Sequence, residues 1–63
     1  MTLDLTPREH MLLIELLDAA HREKLHELHH ADLGDFKQYL RDRLRLIEEL
    51  RAKIATAHVV TTA

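Results

Sequence analysis

Six histidines stand among the 63 residues of this chain, and His26, His29 and His30 fall within one five-residue stretch. Histidine is the commonest protein metal ligand, and two of them four apart on a helix share a face. His26 and His30 are therefore the candidate metal-binding pair, with Glu23, Glu27 and His29 as neighbouring donors. The competing reading is a solvated polar face near a helix C-terminus, where the dipole also favours histidine.

The pairs Glu23-x-x-His26 and Glu27-x-x-His30 have the spacing of the Glu-x-x-His element in di-iron helical bundles. In those bundles the motif points into the core. Here both pairs project away from the apolar seam, so no buried di-metal site is expected. His21 lies between Leu17 and Leu25 on the apolar side, where a charged ring is disfavoured unless it is paired. The sequence predicts a partly buried histidine hydrogen-bonded across the bundle. Its pH response depends on its partner: burial alone would weaken the fold as pH falls, and a carboxylate partner would reverse that sign.

Arg43 falls inside the apolar arc of the second half, where it must snorkel or pair with an acid. Lys37, Arg41 and Arg45 form a basic stripe at four-residue spacing, interleaved with acids in the manner of a solvated face. No cysteine is present, so neither a disulfide nor a thiolate site can form. A single glycine offers no phosphate-cradling loop, and no Ser-His-Asp arrangement exists. No enzyme activity and no cofactor are expected.

A net charge of −2, one Tyr and one Phe give neither the electrostatic footprint nor the stacking platform of a nucleic-acid binder. No apolar run is long enough to cross a bilayer, and no signal-peptide pattern opens the chain. A soluble protein of a reducing compartment, the cytoplasm, is expected.

What positions these residues is helical throughout. Thr6, Pro7 and Glu9 make an explicit helix start, a capping box with proline at the first helical position and Leu5 placed to staple onto the first turn. From there to Gly34 no breaker occurs, so a first helix over about 7–31 is predicted, roughly 37 Å long. The series His10, Ile14, Leu17, His21, Leu25, Leu28 recurs every eleven residues, the period of a nearly straight seam. A turn over about 32–35 follows, short enough to force antiparallel packing, with Asp35 and Gln38 as a second capping box and Asp32 as a competing cap. A second helix over about 36–56 carries Phe36, Tyr39, Leu40, Leu44, Leu46, Ile47, Leu50 and Ile54 on one face. Residues 57–63 read as a frayed tail, able to form a strand only if a partner supplies an edge.

The class is all-α, a single small domain over 1–63 built as an antiparallel helical hairpin. Both apolar arcs span about 150°, where a core-facing stripe needs about 100°. Two helices cannot cover them, and chains this short seldom hold a core without disulfides, metal or association. A homodimer closing into a four-helix bundle is the simplest solution. The expected interface comprises Leu13, Ile14, Leu17, His21, Leu25 and Leu28 of the first helix and Phe36, Leu40, Leu44, Ile47, Leu50 and Ile54 of the second. Charges agree, because residues 7–31 carry an acidic excess and residues 35–56 a basic one.

Leu5-Thr6-Pro7-x-Glu9, Leu12-Leu13-x-x-Leu16-Leu17, Glu27-Leu28, Asp32, Phe36, Leu40 and Leu44 together resemble a group of short bacterial helical-hairpin proteins of unknown function. The likeness covers residues 5 to 54. It departs from the group at His30-Ala31, where a basic residue and Thr often precede the turn. The resemblance implies a fold and no activity. A non-enzymatic, self-associating interaction module is the expected function, possessing either a second copy or an unidentified protein as partner. The alternative is a histidine-based metal-binding module centred on His26 and His30.

Overall fold

The computed structural model describes residues 3–60, and two long helices packed against each other make up most of it. In chain order the elements are β1 (Asp4–Leu5), α1 (Pro7–His29), α2 (Gly34–Ala55) and β2 (His58–Val59). The start of α1 forms as its sequence requires. Thr6 N–H donates to Glu9 Oε1 at 2.9 Å, and Glu9 N–H donates to Thr6 Oγ1 at 3.2 Å, so the box is complete.

The reversal, at residues 30–33, sits two residues earlier than the 32–35 its sequence suggested. The N-cap of α2 is Leu33, in extended conformation and with no side-chain cap, and Gly34 is the first helical residue. The expected box at Asp35 and Gln38 does not form, because both residues already lie inside the helix. Gln38 instead donates to Asp42 Oδ1 at 3.0 Å, one turn on. Gly34 does not adopt a left-handed conformation, so the chain turns at His30–Leu33.

Cross-helix contacts set the antiparallel register. His10 Nε2 lies 2.9 Å from the Ile54 carbonyl, Arg51 Nε donates to Asp18 Oδ1 at 2.6 Å, and His21 Nε2 lies 3.1 Å from Glu48 Oε2. The first half of α1 therefore runs beside the last half of α2. Between them Leu40, with no exposed surface, and Leu44 form the buried seam. The molecule measures 50 × 21 × 11 Å, and 11 Å is the thickness of one helix layer.

The tail corrects an expectation. Residues 58 and 59 are not frayed: β2 pairs in parallel with β1, Asp4 opposite His58 and Leu5 opposite Val59, and Val60 N–H donates to the Leu5 carbonyl at 2.6 Å. The hairpin returns the C-terminal segment to the end where the chain began, so the chain supplies its own edge. Parallel strands need a long crossover, and here the entire helical hairpin serves as one. Leu5 is buried beneath this strap. The last three residues of the predicted tail lie outside the described region.

Leu40→Ala should lower the unfolding free energy by about 2–5 kcal/mol, the range for a fully buried leucine, whereas Thr6→Ala should lower it by about 1 kcal/mol. Urea denaturation at one fixed protein concentration checks both. Equal effects would show that the seam is not the core.

Candidate functional site

The two broad faces of the hairpin differ in chemistry. At about 100° per residue, Asp18 and His21 of α1 and Glu48 of α2 emerge on the same side, and the Asp18–Arg51 and His21–Glu48 pairs lace that face together. The opposite face is apolar. Leu12 and Leu16 of α1 emerge there towards the end that holds Leu50 of α2, with Leu46, Tyr39 and Phe36 continuing towards the turn. These are large and exposed: Leu16 at 55%, Leu12 at 54%, Tyr39 at 53% and Leu50 at 42%. Phe36 and Tyr39 stack with ring centroids 6.2 Å apart. At the foot of the same side an open groove of about 420 Å³ is bordered by Leu3, Leu50, Ile54 and Ala57, with Lys53, Thr56 and His58 at its edge.

The interface residues expected from the sequence divide into two groups. Leu40 and Leu44 are consumed by the seam within one chain, so they have almost no surface left for a second. Leu13, Ile14, Leu17, His21, Leu28, Ile47 and Ile54 line that seam half-buried, while Leu25, Phe36 and Leu50 remain exposed. Leu12, Leu16, Tyr39 and Leu46, which were not in the expected interface set, are also large, apolar and exposed. Their signal was present in the doublets Leu12-Leu13, Leu16-Leu17, Tyr39-Leu40 and Leu46-Ile47, because adjacent helical residues diverge by about 100° and cannot both face one neighbour.

The histidines separate in the same way. His10, His21 and His58 reach the opposite half of the chain, the last with Nδ1 3.1 Å from Asp4 Oδ1. His21 meets the cross-helix hydrogen bond expected of it, and its partner is a carboxylate, to which a protonated ring donates a charge-assisted bond. His26 and His30 stand side by side, ring centroids 4.5 Å apart, on an exposed surface. They would offer a divalent cation two nitrogens. Among the described residues no group of three or more His, Cys, Asp or Glu is arranged to hold one, and structural zinc takes four ligands. Arg43 stands amid Phe36, Tyr39, Leu46 and Leu50 on the apolar side, and among the described residues it has no carboxylate partner.

Among the described residues no helix is long and apolar enough to cross a membrane. No protein-family description, curated protein or solved structure matches this chain.

The hydrogen bond from Arg51 holds the Asp18 carboxyl below its ordinary value of 3.8, and the same contact raises the guanidinium. A carboxyl depressed on folding stabilises the fold above its unfolded value, and that contribution disappears as pH falls through the folded one. Asp18→Asn should therefore melt at a lower temperature than the parent at neutral pH, with the gap closing as pH falls below the ordinary carboxyl value of 3.8. Circular-dichroism melts across the acid range check this; a gap independent of pH would show that the contact does not titrate as described.

Proposed function

We propose that this protein is a non-enzymatic self-association module, in which two hairpins close apolar face to apolar face into a four-helix bundle. One observation carries the reading: the chain is a single helical layer with large apolar side chains, Leu12, Leu16, Tyr39, Leu46 and Leu50 among them, left open to water on one face. Stable domains consist of at least two packed layers around a shared core. A lone layer has its core on the outside.

Surface area supports the same conclusion. A compact monomer of 7.4 kDa exposes about 4,200 Å², whereas this chain exposes 5200 Å². The excess, on the order of 1,000 Å², matches what one partner contributes to a standard protein interface, about 800 Å². The ion-paired face needs no cover. Two of its charged pairs, Asp18 with Arg51 and His21 with Glu48, are matched across the helices, and desolvating its charges would forfeit hydration. A second copy offers the apolar face an equal area of the same character, as an isologous interface requires.

Sedimentation equilibrium should return twice the 7.4 kDa chain mass, and the melting temperature should rise with protein concentration. Leu16→Glu and Leu50→Glu should each shift the species to monomer and reduce helicity. A parent chain that stays compact, cooperative and monomeric at high concentration would overturn the reading. One that is unfolded alone and folds on adding another protein would replace the second copy with that protein.

A further inference from the structure

We propose, building on the self-association reading above, that the two copies are related by a two-fold axis running along the helices. In this arrangement α1 of each chain lies on α2 of the other, and each Arg43 faces Glu23 and Glu27 of the second copy. Two face-to-face arrangements are open to a helical hairpin. With the axis parallel to the helices, α1 lies over α2 and the strapped ends stay together. With the axis across the helices, α1 lies over α1, α2 over α2, and the ends are reversed.

Charge selects the first. The stretch 7–31 holds five acids and three bases, and 35–56 holds six bases and four acids. The parallel axis gives every helix only oppositely charged neighbours, and the crossed axis stacks like on like. The apolar face agrees with it. The contacts of Asp18 with Arg51 and of His21 with Glu48 place Leu12 and Leu16 at the same end as Leu50 and Ile54. A copy turned about the parallel axis sets Leu16 over Leu50 and brings Leu12 over the groove bordered by Leu50, Ile54 and Ala57.

Arg43 gives the arrangement its register. It sits within the apolar face, where covering it without a carboxylate would be strongly unfavourable. By the same register its height along α2 corresponds to residues 23–27 of α1. On the apolar side at that height stand Glu23 and Glu27. Glu27 is held only by Lys24, at 3.5 Å, and Glu23 has no cation partner among the described residues. The parallel axis delivers these two carboxylates from the second copy directly above Arg43.

The chain lacks cysteine, which permits a direct test. Single variants L16C and L50C, each confirmed dimeric by sedimentation, are oxidised separately and as a mixture. The mixture should form a disulfide-linked dimer at least about tenfold faster than either variant alone, since bridging needs Cβ atoms about 4 Å apart. A second measurement uses charge. R43E and E27R should each be largely monomeric, and mixing them should restore a dimer containing one of each. Dimeric variants that crosslink fastest with themselves, or charge variants that do not rescue each other, overturn this geometry and leave self-association standing. A monomeric parent chain overturns both.

Discussion

A polypeptide folded into one layer of two helices has no interior beyond the line where they touch, and every other feature of this molecule follows from that. The line holds the buried Leu40 and Leu44 of α2, with Leu13, Leu17 and Leu28 of α1 partly covered along its length. Sequences with helical period and wide apolar arcs are ordinarily resolved by adding a third or fourth helix. Among the described residues there are two. The unsatisfied constraint is then displaced to the surface, where it takes the form of a broad apolar face backed by a charged one.

The charged face shows how the hairpin is held in register with so small a core. Dispersion and the hydrophobic effect are not directional, and a short leucine seam could slide by a turn. The ties that resist sliding are polar and specific: Asp18 with Arg51, His21 with Glu48, and His10 with the carbonyl of Ile54. The last falls on a carbonyl at the C-terminal end of α2 that also accepts from the Ala57 N–H at 3.1 Å. At the foot, β1 and β2 add a backbone ladder and the Asp4–His58 contact. Each of these joins residues at least 27 positions apart, so together they favour one antiparallel alignment over its neighbours.

The helices and their antiparallel packing were legible because they rest on local rules. Thr6-Pro7-x-Glu9 can hardly be anything but a helix start, and the four-residue turn leaves no other way to pack. What was not legible depends on the finished fold. Val59 and Val60 have β-forming side chains, yet they pair only because the hairpin returns them to Leu5, a contact no local window contains. The cap at Leu33 was hidden because it uses backbone alone, while Asp32 and Asp35 offered better side chains for the task. The apolar face was half legible: the width of the arcs announced an excess, but which side of the hairpin would carry it depended on the cross-helix register.

The histidines make the same point from the side of chemistry. Their number suggests metal, and their clustering at His26, His29 and His30 draws the eye to one end of α1. The three outside that cluster have the clearer structural employment, since His10, His21 and His58 each bind the far half of the chain. An imidazole suits this role because it can donate or accept and is short enough to bridge two helices without the rotamer entropy of lysine or arginine. In a chain with no cysteine and almost no core, long-range polar ties replace the staples that other small proteins draw from disulfides or zinc. Histidine enrichment in such a chain is therefore an architectural signal before it is a catalytic one.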